Sequence, residues 1–167
     1  MTENWEQVME EQWGRAFVHE SGHALMAVLQ GIPCHGIYYE KTIKKFCAVN
    51  DLPQPSEYSK KHFLFLTASS AAELIVYGDQ DEDGARSDRL AFQNAGAPPI
   101  QETLNEAHAI LRENKRKLKR LISMLKAKCR QADLNLNTLP EVGMDGSTRK
   151  FAVLISKQEL EDAVRSN

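Results

Sequence analysis

His19 and His23 stand four residues apart, and Glu20 follows the first of them directly. On an α-helix, residues i and i+4 share one face, one turn apart. Two imidazoles so spaced can reach one metal ion at Zn–N distances of about 2.0–2.1 Å. Glu20 then points beside the metal rather than onto it. There it can take a proton from a water that zinc acidifies towards a pKa of about 7, which then attacks a polarised peptide carbonyl. The same carboxylate can pass the proton to the leaving amine. Catalytic zinc needs a third protein ligand and an open fourth position. A further histidine six residues after His23 would mark one class of such sites, but Leu29 stands there. Glu73 on a following helix and Asp88 are the two candidates for the third ligand.

The motif requires a helix beneath it. The spacing of Phe17, Val18, Leu25, Val28 and Leu29 predicts one from Asn4 to Gln30, ended by Gly31, Ile32 and Pro33. Gly22 sits inside that helix, where glycine costs about 1 kcal/mol against alanine, so it calls for a reason such as close packing. His35–Lys41 and Lys45–Val49 read as short strands, carrying Ile37, Tyr38, Tyr39, Phe46 and Val49. Lys60–Tyr77 reads as a second, buried helix closed by Gly78. Asp51–Ser59 and Asp79–Gly84 read as loops, and Asp88–Ala95 as a short helix. Gln101–Gln131 reads as one long helix, with Lys115 breaking its apolar stripe. Leu134–Arg149 reads as a loop and Phe151–Ile155 as an extended piece. Ser156 caps a last helix, with Glu159 at capping-box spacing. The expected class is mainly α with a small β-sheet, an α+β fold in a single domain over residues 1–167.

The bulk numbers bound the partners. A net charge of −2 does not favour nucleic acid or an anionic membrane. No stretch approaches the ~20 apolar residues of a membrane span, so no membrane segment is expected. The first residues are acidic and carry no apolar run, so no secretory signal is expected. Three scattered cysteines, Cys34, Cys47 and Cys129, make no disulfide framework and fit a reducing cytoplasm. The basic run Lys115–Arg120 is expected to be a solvated helix face near other cations, not a nucleic-acid site. Cys34 and His35 lack a ligand set.

Several segments carry a resemblance. Arg15–Val28, RAFVHESGHALMAV, resembles the start of the peptidase domain of FtsH-type ATP-dependent zinc metalloproteases, which reads close to AxHEAGHAxVA. Ser70–Gly78 looks like the family's GRAAEExxFG stretch, and Gly84–Asp88 is similar to its GASND motif. Ala109–Leu118 resembles the LLxENRxxL helix, and Ile155–Val164 the closing helix. The resemblance runs in order across nearly the whole chain.

It implies that His19, His23 and Asp88 bind zinc and that Glu20 is the base. Glu73 then orients a ligating histidine. An aspartate opening a short helix is also a common N-cap, and Glu73 is equally readable as a buried paired carboxylate. The resemblance further implies that an edge strand, here Phe46, Cys47, Ala48 and Val49, pairs with extended substrate at low sequence selectivity. The chain departs from the family in three ways. Arg86 and Ser87 replace Ser and Asn, the segment after the aspartate helix is short, and no phosphate loop occurs. The expectation is a cytoplasmic metalloendopeptidase without ATPase activity, cutting unfolded or flexible chains alone or beside a separate ATPase. The alternative is a non-catalytic peptide-binding or adaptor domain that retains the fold.

Overall fold

The computed structural model describes residues 4–132, 135–143 and 148–167. The class is α+β: six α-helices and one small antiparallel sheet among these residues. In chain order they are α1 (Trp5–Gln30), β1 (Cys34–Glu40), β2 (Lys45–Asn50), α2 (Lys60–Tyr77), α3 (Arg86–Asn94), α4 (Ile100–Glu113), α5 (Lys115–Gln131), β3 (Phe151–Ser156) and α6 (Lys157–Arg165).

Helices α1 and α2 form the centre. Phe17, Leu25 and Met26 of α1 are fully buried, and most of α2 from His62 to Glu73 is buried with them. The two helices approach closely at Gly22. A β-carbon there would lie 2.7 Å from both the Ala68 carbonyl oxygen and the Ala72 β-carbon. That contact is the reason for a glycine in mid-helix, and it fixes how the histidine face of α1 meets α2. Gly31 ends α1 in the left-handed conformation (φ 69°), which a residue without a β-carbon adopts at no steric cost.

The sheet order is β2-β1-β3, so β2 is an outer strand. Its register sets Tyr38 opposite Cys47 and Ile37 opposite Ala48. Trp13 and Phe17 of α1 stack edge-on or tilted against one another and against Phe46, which seats β2 beside α1.

The single long helix expected over Gln101–Gln131 is two. Asn114 ends α4 and starts α5, and its side-chain Nδ2 donates to the Ile110 carbonyl at 2.9 Å. The Ile110 carbonyl accepts from both this amide and the Asn114 backbone N–H, the local side-chain bonding that favours asparagine at helix ends. The break lets α4 pack on α2 while α5 packs on α1. The short helix also shifts. It starts at Arg86 after Ala85, so Asp88 lies inside the first turn and is not its N-cap. The strands differ from expectation by a residue at their ends. The last helix begins as expected: Ser156 Oγ accepts from Glu159 N, and Glu159 answers at Ser156 N. The loop expected at Leu134–Arg149 falls partly outside the described residues; its described part holds a short turn of 3-10 helix at Leu136–Thr138.

The basic run on α5 is partly structural. Arg120 donates to the Ala163 and Ser166 carbonyls at the end of α6, while Lys126 and Lys128 pair with Glu10 and Glu159. No helix among the described residues is long and apolar enough to cross a membrane.

Candidate metal centre

Helix α1 delivers both imidazoles, and α3 delivers Asp88 to them from 65 residues further along the chain. Asp88 Oδ2 lies 2.9 Å from His23 Nε2 and 3.3 Å from His19 Nε2. One ligand atom from each of the three residues falls within 4.8 Å of the others, so the group could hold a metal ion. Tetrahedral bonds of about 2.0–2.1 Å place neighbouring ligand atoms about 3.3 Å apart, close to both spacings found here.

The far side of each ring is fixed. His23 Nδ1 lies 2.9 Å from the Phe65 carbonyl oxygen, which can only accept. His19 Nδ1 lies 3.2 Å from Glu73 Oε1, a carboxylate that also accepts. Each Nδ1 therefore carries a proton, which leaves Nε2, the atom facing Asp88, as the one that would ligate a metal once its own proton is lost. This is the tautomer and ring orientation that a metal ligand needs.

Glu73 is almost fully buried, and it holds more than His19. Its Oε2 accepts from Arg15 Nη1 at 3.1 Å and from the Asp81 backbone N–H at 2.7 Å. Arg15 sits one turn before His19 on α1, bonds Asp79 with its other nitrogen, and lies over the Tyr77 ring. The carboxylate thus links the histidine helix to the loop that leads into α3 and Asp88. Ser69 Oγ donates to Asp88 Oδ2 at 3.0 Å and orients it from α2.

Glu20 stands beside the group. Its Oε1 is 3.9 Å from His19 Nε2, while its Oε2 accepts from the Ala48 backbone N–H at 2.7 Å. Burial pushes the Glu20 carboxyl above its ordinary value, against the charges of the two histidines and the Ala48 amide. Burial pulls His19 down, but its hydrogen bonds to Asp88 and Glu73 and the charge of Glu20 outweigh this and raise it to about 10. Burial also opposes ionisation of Asp88, yet the histidines hold it well below the usual carboxylate range. Without a cation, a proton on His19 balances part of the buried negative charge.

Two cavities of about 300 Å³ each adjoin the group. One includes Asp88 and has Leu66, Phe92 and Leu104 in its wall; the other includes His19 and Glu20, with Trp13 and Phe46 in its wall. The residues expected from sequence for the metal, the base and the supporting carboxylate therefore come together. Phe46, Cys47, Ala48 and Val49 lie on the outer strand, with Ala48 touching Glu20. Burial pushes the Cys47 thiol up to about 12, so this cysteine stays neutral. Cys34 and His35 form no ligand set among the described residues: Cys34 is buried, and His35 pairs with exposed Asp51.

Arg15, Ser69 and the Phe65 carbonyl have no assigned role in the sequence reading. Arg15 had a readable signal, since it shares the His19 face at i, i+4. Ser69 had one too, as a polar residue in the most apolar helix. Comparisons with family models, curated proteins and solved structures find no match to this chain.

Proposed function

We propose that this chain is a zinc-dependent metalloendopeptidase domain, similar to the peptidase domain of FtsH-type proteases, that hydrolyses peptide bonds in unfolded or flexible polypeptides. One observation carries the reading: His19, His23 and Asp88 converge within 4.8 Å, with the Glu20 carboxylate beside them. Zinc held by those three residues would supply the Lewis acidity that acidifies water and polarises the scissile carbonyl. Glu20 Oε1 is the oxygen left for the proton, since Oε2 is held by Ala48. The upward shift of the Glu20 carboxyl, driven by burial, suits a group that must both take and return a proton. Glu73 and the Phe65 carbonyl hold the two rings, and Ser69 holds Asp88. The outer strand β2 is the surface for an extended chain, and the two cavities are spaces for its side chains.

A second reading, a non-catalytic peptide-binding domain, is favoured by one contact. The Ala48–Glu20 hydrogen bond occupies the base and the strand edge together. Zinc analysis and casein digestion separate the two. The peptidase reading expects one zinc per chain and cleavage that Glu20→Gln abolishes while zinc is retained. Zinc without cleavage supports the binding domain. Protein purified without chelator and lacking any bound metal would sink both metal readings.

A further inference from the structure

The free edge of β2 is not uniformly open. Ala48 lies opposite Ile37 in the ladder, yet its N–H donates outward to Glu20 Oε2 rather than to β1. In an antiparallel ladder a residue's N–H and C=O point to the same side. The Ala48 carbonyl therefore also faces outward, and Asn50 Nδ2 donates to it at 2.9 Å. Phe46, two residues earlier, presents its backbone groups to that same outer side, beside the cavity that His19 and Glu20 line, and no side chain hydrogen-bonds to them among the described residues. The edge is thus unpaired at Phe46 and capped at Ala48 by the protein's own side chains.

The closing contact is poorly balanced. Asn50 Oδ1 is buried and finds no hydrogen-bond partner among the described residues. A buried acceptor left unpaired is costly, and any movement of the amide that brings a donor to Oδ1 relieves it. Asn50 is therefore held by one good bond and strained by one missing bond, in the place where an incoming strand would need the Ala48 carbonyl.

We propose that Asn50 is a substrate-positioning residue that gates the outer edge of β2. An extended, unfolded polypeptide pairs first with Phe46, then displaces the Asn50 amide from the Ala48 carbonyl and completes strand addition next to Glu20. The proposal rests on the reading of β2 as the polypeptide-binding edge. It does not require that hydrolysis follow. Asn50 acts through Ala48 and touches neither the metal ligands nor the base.

The test is binding of fluorescein-labelled casein, read by fluorescence anisotropy on the zinc-loaded chain. A Glu20→Gln background stops cleavage and still offers Ala48 an acceptor oxygen. Adding Asn50→Ala removes the competing donor and is expected to tighten Kd about fivefold, the worth of one ordinary hydrogen bond. Asn50→Asp keeps the shape but cannot donate to the Ala48 carbonyl, so it should tighten binding too. It serves if the alanine variant loses its circular dichroism. In the otherwise native chain, the same substitutions should lower KM by a similar factor while kcat holds, which a general loosening of structure would not do. Unchanged or weaker casein binding in both variants overturns the gate, as does absence of casein binding in every form. Casein bound more tightly by the Asn50 variants but never cut by the native chain would support the gate and sink the peptidase reading alone.

Discussion

Replacing Glu73 by glutamine keeps the shape of a side chain that is 2% exposed and removes its charge. The native carboxylate meets three donors: His19 Nδ1 at Oε1, and Arg15 Nη1 and the Asp81 N–H at Oε2. Glutamine offers one accepting oxygen and one NH2 group. With the oxygen in the Oε2 place, the NH2 faces His19 Nδ1. That nitrogen must then accept, so the ring proton moves to Nε2, the atom aimed at Asp88. A protonated Nε2 cannot ligate a metal. With the oxygen in the Oε1 place, two donors meet an NH2 instead of one. The first arrangement is therefore preferred, and it puts His19 in the wrong tautomer. Loss of such a supporting partner typically costs about 10–100-fold in metal affinity. That range corresponds to about 1.4–2.7 kcal/mol. Calorimetric titration with zinc against a competing chelator, native and variant side by side, measures it. A Glu73→Gln chain with native circular dichroism and undiminished zinc affinity would refute the tautomer argument.

Further outcomes follow from the same geometry. His19 is raised from 6.5 to about 10 in the folded chain, so it binds its proton more tightly folded than unfolded. Its stabilisation of the metal-stripped protein is complete below pH 6.5 and is lost as pH rises to about 10, which urea denaturation across that window should follow. Zinc should compete with that proton, so titrations at neutral pH in buffers of different ionisation enthalpy should report proton release; no release would count against a charged His19. Gly22→Ala would gain about 1 kcal/mol of helix propensity but drive a β-carbon into the Ala68 carbonyl. Overpacking of that kind costs about 1–3 kcal/mol or more, so a net loss in urea midpoint is expected, and a gain would show that the helices can separate. Asp88→Ala should leave zinc that is lost on dialysis, with the helical circular dichroism retained; retained stoichiometric zinc would exclude Asp88 as a ligand.

What the sequence made legible was local. The histidine pair, its helix, the apolar helix α2 and the Ser156 capping box all depend on residues within a turn or two of one another, and each was readable from spacing. The third ligand was not readable that way. Asp88 and Glu73 were both acceptable carboxylates by type, and spacing alone left them tied. What separates them is tertiary: Glu73 is taken by three donors on the Nδ1 side of His19, whereas Asp88 faces both Nε2 atoms. The break at Asn114 has only a faint trace in the sequence, the interruption of the apolar stripe at Lys115, because what marks it is a side-chain amide bonding back to Ile110. The contact between Ala48 and Glu20 joins residues 28 apart through a sheet edge, and no helical or strand period encodes it.

The charge balance of the site argues for a cation independently of the motif. Three carboxylates, Glu20, Glu73 and Asp88, gather around two imidazoles, and their side chains are 15%, 2% and 18% exposed. Arg15 answers Glu73 from one side, but no lysine or arginine pairs with Glu20 or Asp88 among the described residues. Burying unanswered negative charge is expensive, and a protein built only for packing would neutralise or expose these groups. The folded chain meets the excess in part by protonating His19, which a metal ligand would have to reverse. A divalent cation at the three converging atoms would answer Asp88 and Glu20 together and let both rings stay neutral, in the tautomer that Glu73 and the Phe65 carbonyl favour. The same excess explains why Glu20 leans on the Ala48 amide: a backbone N–H is the nearest partial positive charge available to it.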